Sequence, residues 1–112
     1  MFYFYTSNGN FWPVADAMFN TAGFNGWIET SRSTGMELRK LRERYPHATI
    51  QGNIRVQVVH RGNTEDVRRE VMDCMQVTHD LGGVIVGTSN LIMLGTPPAN
   101  IEMMLKTIEE TR

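Results

Sequence analysis

The residues best equipped for chemistry are small polar side chains that stand directly after apolar runs. Thr6, Ser7 and Asn8 follow Phe2 to Tyr5, Glu29 closes a run containing Phe24, Trp27 and Ile28, Asn53 follows Ala48 to Gly52, and Thr88, Ser89 and Asn90 follow Val84 to Val86. Hydroxyls and amides donate and accept hydrogen bonds without changing charge, and Glu29 adds a carboxylate, so the set suits recognition of a small polar molecule. Each member also has an ordinary reading. Thr88, Ser89 and Asn90 could satisfy loop backbone groups, Asn8-Gly9 could be a turn, and Glu29 could be an exposed or capping carboxylate. Arg32 and Arg55 could grip a carboxylate bidentately or stand solvated in loops. Gly87-Thr88-Ser89 and Gly95-Thr96 could cradle an anion with backbone N–H groups, but neither belongs to a Gly-x-Gly-x-x-Gly or Gly-Lys-Ser/Thr motif. Metal chemistry has little to work with. Cys74 lies on an apolar helical stripe, and His47, His60 and His79 show no paired ligand spacing and read as solvated or locally bonded.

These residues need elements to position them, and the hydrophobic period switches between strand-like and helix-like at intervals of roughly 25 to 35 residues, about the span of a βα unit. Strands are predicted at about Phe2 to Tyr5, Phe24 to Glu29, Ala48 to Gln51 and Leu81 to Val86. Pro13 suits the first turn of a helix whose apolar face is Val14, Ala17, Met18 and Thr21, with Gly23 as its stop. Ser31, Ser33 or Thr34 can cap the next helix, where Leu38, Leu41 and Tyr45 share a face, the arginines from Arg32 to Arg44 are expected to be wet, and Pro46 closes the turn. Thr64 can cap a third helix, with Glu65 and Asp66 in its first turn and Val67, Val71, Cys74 and Thr78 as its stripe. The last helix is expected to bury Ile101, Met104, Leu105 and Ile108, while Gln57 to Asn63 fits either a strand extension or a short helix. A β-α-β-α-β-α-β-α order means parallel strands joined by right-handed crossovers: either a small open sheet or half of an eightfold barrel. In both, the polar residues named above fall at strand carboxyl ends, where α/β proteins keep their sites.

Composition narrows the class. With 112 residues, 41% hydrophobic and 21% charged, the chain is expected to be one soluble α/β domain, small for a complete enzyme of that class. A net charge of -1 leaves no electrostatic footprint for nucleic acid or an anionic membrane. The longest apolar runs are too short to span a bilayer, and Met1-Phe2-Tyr3-Phe4-Tyr5 lacks the basic region of a signal peptide. One cysteine fits a reducing compartment, so a cytoplasmic location is expected.

Several segments taken together resemble one family. Thr6-Ser7-Asn8-Gly9-Asn10, Gly23-Phe24-Asn25-Gly26 leading to Ile28-Glu29, Gly35-Met36-Glu37-Leu38, Gly52-Asn53-Ile54, Gly62 to Val67, Gly82-Gly83-Val84-Ile85 and Thr96 to Ile101 look like the carboxyl-terminal half of the uroporphyrinogen decarboxylase family. The resemblance implies four βα units, half of a (β/α)8 barrel of roughly three times this length. It implies decarboxylation of porphyrinogen acetate side chains without a cofactor, or the zinc-dependent methyl transfer of the corrinoid-pathway branch. It also implies that the amino-terminal residues gripping the substrate lie outside this chain. The positions matching the zinc ligands of the methyltransferases are Thr6, Asn8 and Asn90, so no metal is expected. Asn90 stands where the decarboxylases usually have a histidine, and Arg55 where the family's Gly-Asn-x-Asp pattern has its aspartate. The implied partner is a small molecule, a tetrapyrrole or other polycarboxylate, bound by Thr6, Asn8, Glu29, Asn53, Thr88, Ser89 and Asn90. Because a four-stranded piece of a barrel leaves two edges open, association with a second copy or a complementary half-barrel is expected; a non-catalytic assembly subunit is the alternative role.

Overall fold

Four short strands alternate with helices along the chain, and all lie parallel in one sheet ordered β1-β2-β3-β4. A computed structural model describes residues 1–112. The strands are β1 Phe4–Thr6, β2 Gly26–Ser31, β3 Thr49–Ile54 and β4 Val84–Thr88, and the helices α1 Trp12–Asp16, α2 Leu38–Arg44, α3 Val56–Arg61, α4 Thr64–Leu81 and α5 Pro98–Thr111. Each strand pairs with the next in sequence. A doubly wound sheet reverses strand order so that helices cover both faces; an unreversed series of right-handed crossovers puts them all on one face, as in a (β/α)8 barrel. The fold is therefore α/β, with half the strands of such a barrel.

The covered face holds the core. Register aligns Tyr5, Trp27, Ile50 and Val84 across the sheet, and Trp27 and Ile50 are fully buried against the helices with Leu41, Tyr45, Val67, Val71 and Cys74. Trp27 meets Tyr5, Phe11 and Phe19, with ring centroids 5.1, 3.6 and 5.9 Å away. The opposite face is open. Gln51 pairs in register with Ile85, which is 54% exposed, and Phe4 lies over Gly26, 41% exposed. In a closed barrel this face would be the packed interior.

Several boundaries differ from the expectation for local reasons. Strands β2 and β3 run on to Ser31 and Ile54, so Glu29 lies inside its strand instead of at its end and Asn53 lies within its strand instead of after it. Strand β1 starts later and is exposed throughout, because it forms an edge. The first helix turns its Ala15 and Phe19 side inward and leaves Val14 47% exposed, since its continuation, Ala17–Thr21, is a π turn and the aromatic ring of Phe19 takes the core position. In α5 Met104 and Thr107 are buried while Leu105 is 57% exposed, a rotation of the expected face by about one residue. The ambiguous Gln57 to Asn63 stretch holds most of α3, and Asn63, not Thr64, caps α4 in a reciprocal box with Asp66.

Arg42 corrects the wet face assigned to the second helix. It is buried, its guanidinium donating to the carbonyl oxygens of Gly82 at 2.8 Å, Pro46 at 2.9 Å, Tyr45 at 3.1 Å and Ala48. This one side chain ties the end of α2 to the start of β3 and the turn before β4. Gly83 has to be small beside it, because a Cβ there would lie 2.4 Å from Nη2 of Arg42.

Candidate functional site

The carboxyl ends of the strands meet around Glu29. Register between β2 and β3 shifts between Trp27 and Thr30, and at this bulge Glu29 takes a left-handed backbone conformation with φ 67°. A bulge re-aims a side chain, and a non-glycine residue holds such a φ only where its surroundings enforce it. Gln51 enforces it, its Oε1 accepting the Glu29 backbone N–H at 2.8 Å. Asn8 reaches the same place from the loop after β1. In one orientation of its amide, the nitrogen lies 3.4 Å from Glu29 Oε2. Flipped, it donates to the backbone carbonyls of Glu29 at 3.2 Å and Ser89 at 3.0 Å, and we prefer this orientation because it makes two shorter bonds in place of one at the 3.4 Å limit. The loop is anchored from beneath by Trp27, whose Nε1 donates to Ser7 O at 3.2 Å, and by Thr34, whose hydroxyl donates to Gly9 O at 2.9 Å.

The sequence-derived set divides here. Asn8 and Glu29 converge with the backbone of Ser89, and Thr6 and Thr88 end their strands beside them. The Ser89 hydroxyl is turned away from the mouth, buried and accepting the Val56 N–H at 3.3 Å as a cap for α3. Asn90 is exposed and bonds only to the N–H of Leu91, at 2.7 Å, a local turn contact. Asn53 is fully buried on the helix side, its nitrogen donating to Met36 O at 2.8 Å and Thr30 Oγ1 at 3.3 Å, while its Oδ1 is left without a partner. The amide nitrogen of Asn90 stays unengaged, but Ser89 and Asn53 present no free side chain at the mouth. Gln51 does, and nothing in the sequence reading singled it out; the signal was a polar residue between Ile50 and Gly52 in a short strand.

A second polar cluster lies outside the mouth. Glu70 of α4, with a side chain only 3% exposed, accepts three hydrogen bonds from the Arg55 guanidinium, the closest at 2.7 Å, and one from the Arg55 backbone N–H at 3.0 Å, with Arg32 Nε 3.6 Å away. Burial pushes the Glu70 carboxyl upward, but the bonds from Arg55 and the charges of Arg32 and Arg55 outweigh it and hold the pKa below the usual value. Arg32 and Arg55 are therefore not solvated loop residues. They hold the segments after β2 and β3 onto α4, beside a cleft of about 400 Å3 lined by Ser33, Arg61, Asp66 and Arg69. Glu70 falls between Val67 and Val71 on the buried stripe, a position where a carboxylate signals a hidden partner.

The zinc chemistry of the methyltransferase branch does not fit these residues. Thr6, Asn8 and Asn90 offer neutral hydroxyl and amide groups, with Asn8 engaged by Glu29 and Ser89 and Asn90 by Leu91, whereas zinc calls for thiolate, imidazole or carboxylate. Nor does any cluster of three His, Cys, Asp or Glu side chains with metal-binding spacing occur elsewhere. Cys74 is fully buried, His60 bonds through Nδ1 to Thr96 Oγ1 at 2.9 Å, and His79 bonds through Nε2 to Thr111 O at 2.5 Å. No helix is long and apolar enough to cross a membrane.

Comparison with known proteins agrees with the sequential parallel sheet. No curated protein and no solved structure matches the chain. The family model described as uroporphyrinogen decarboxylase (URO-D) matches residues 2–111, nearly the whole chain. The chain belongs to the uroporphyrinogen decarboxylase family.

Proposed function

We propose that these four βα units are the carboxyl-terminal arc of a decarboxylase-type barrel that removes carboxyl groups from a small polycarboxylate, porphyrinogen acetates being the substrate class that the family implies. The observation carrying this reading is the convergence of Asn8, Glu29 and Gln51, from three successive βα units, on one point at the sheet's carboxyl rim. Loss of CO2 leaves an electron pair on carbon that must be neutralised by a proton, in a site where charge is held by oriented hydrogen bonds. Among Thr6, Asn8, Glu29, Gln51, Thr88, Ser89 and Asn90, Glu29 alone is a carboxyl. Its role is to accept hydrogen bonds from N–H groups of the substrate, with Asn8 and Gln51 holding its backbone, and Thr6 and Thr88 complete the rim.

The open face bears on assembly. Phe4 and Ile85, which a closed barrel would bury, stand 41% and 54% exposed, so the working unit includes further βα units that cover them, from a second copy or a complementary half. The test is turnover of uroporphyrinogen by the assembled protein. Glu29→Gln should lower kcat about 100-fold with the melting temperature unchanged; equal turnover by wild type and Glu29→Gln would remove Glu29 from the site and the reading with it.

A further inference from the structure

We infer that Gln51 is the ligand-orienting residue of the mouth, locking Glu29 through one end of its amide and offering the other end to a carboxylate or carbonyl oxygen of the ligand. The inference rests on the reading of the mouth as a substrate site and adds to it the residue that reads the acidic group. Its basis is the division of labour within one side chain. Oε1 is committed to the Glu29 N–H at 2.8 Å, which fixes the rotation of the amide plane. Nε2 therefore points in a set direction, and there it has no protein partner and is not sealed from solvent.

The neighbouring strand makes room for that nitrogen. A Cβ on Gly87 would lie 2.8 Å from Nε2 of Gln51, and Gly87 has no positive φ that would call for glycine on conformational grounds. The absent side chain is a matter of space: the backbone of β4 stays low beneath the amide. An unpaired amide donor held by its own oxygen is preorganised, so a ligand oxygen binds it without ordering a flexible side chain. Its complement is an oxygen acceptor, and Glu29 beside it complements a donor. The mouth thus reads a molecule carrying an acidic group and an N–H group next to each other, which matches a carboxylated pyrrole and excludes a hydrocarbon or a purely cationic ligand.

The test uses uroporphyrin I as the probe, titrated into 15N-labelled protein and followed by porphyrin fluorescence and by the side-chain amide resonances. The Gln51 NH2 pair should shift on saturation. Gln51→Glu keeps an acceptor for the Glu29 N–H and removes the donor, so it should weaken binding at least about tenfold with an unchanged melting temperature. Gly87→Ala, which pushes the amide aside, should weaken binding by a similar factor and decides the matter if Gln51→Glu does not fold. Binding within twofold of wild type for both variants, with Asn8→Ala clearly weakened, would overturn the role of Gln51 while leaving the mouth in place. Failure of the wild-type protein to bind, or wild-type binding by Asn8→Ala and Glu29→Gln as well, would remove the mouth reading and this inference together.

Discussion

Replacing Arg42 by methionine should cost about 3 kcal/mol of stability, far more than the same change at any other arginine of α2. The guanidinium satisfies four carbonyl oxygens, of Gly82, Tyr45, Pro46 and Ala48. Tyr45 O keeps a bond from the Ala48 N–H at 3.0 Å and loses little. Ala48 O is buried and would be orphaned, at a cost of about 1 to 3 kcal/mol, while Gly82 O and Pro46 O are partly buried and regain water, each losing about 0.5 to 1.5 kcal/mol. Against this stands the relief of burying a cation without a carboxylate, since burial already lowers the Arg42 pKa. The balance lies near 3 kcal/mol, a fall of about 10 °C in melting temperature for a chain of this size. The control is Arg39→Met, which breaks only the exposed pair with Asp80, 2.5 Å apart, and should cost less than about 1 kcal/mol. Urea denaturation followed by circular dichroism reads both. Arg42→Met within about 0.5 kcal/mol of Arg39→Met would refute the bridging role argued for Arg42.

The Glu70 cluster gives a pH dependence of defined sign. Because the folded pKa of Glu70 lies below the usual 4.5, its contribution is fully present above about pH 4.5 and is lost as pH falls through the lowered folded value. Glu70→Gln should cost about 2 to 4 kcal/mol at pH 7 and flatten the acid limb of a stability-against-pH series; an unchanged limb would sever the link. Cys74 is predicted to resist alkylation. Burial pushes its thiol up to about 11, so iodoacetamide at pH 8 should leave native protein unmodified and label it in urea, and rapid native labelling would contradict the buried placement.

The order of elements was legible because each βα unit carries its own period and punctuation: Pro13 opens the first helix, and Leu38, Leu41 and Tyr45 mark the second. What the sequence could not reveal depended on neighbours distant in the chain. Arg42 looks like any other charged residue of its helix until Gly82, a residue 40 positions away, is brought against it. Glu29 read as the end of a strand because the apolar run stops there, yet pairing with β3 carries the strand past it and makes it a bulge. Asn53 reads as a mouth residue because it follows a strand expected to end at Gln51; the strand instead runs to Ile54, and the buried Asn53 side chain ties β3 to the segment before α2. Of the seven strand-end residues singled out, the Asn8 side chain meets the backbone carbonyls of Glu29 and Ser89, and Gln51, which meets the Glu29 backbone N–H, had to be seen in place.

The central claim is that the open face of this sheet belongs inside a closed barrel whose mouth surrounds Glu29. Native mass measurement of the purified 112-residue chain, paired with hydrogen exchange of β1 and β4, tests it most directly. The account predicts a dimer or larger complex, or a complex with a complementary half-barrel, in which the edge amides of Phe4 to Thr6 and Val84 to Thr88 are protected. A stable, soluble monomer with those amides exchanging freely would contradict it.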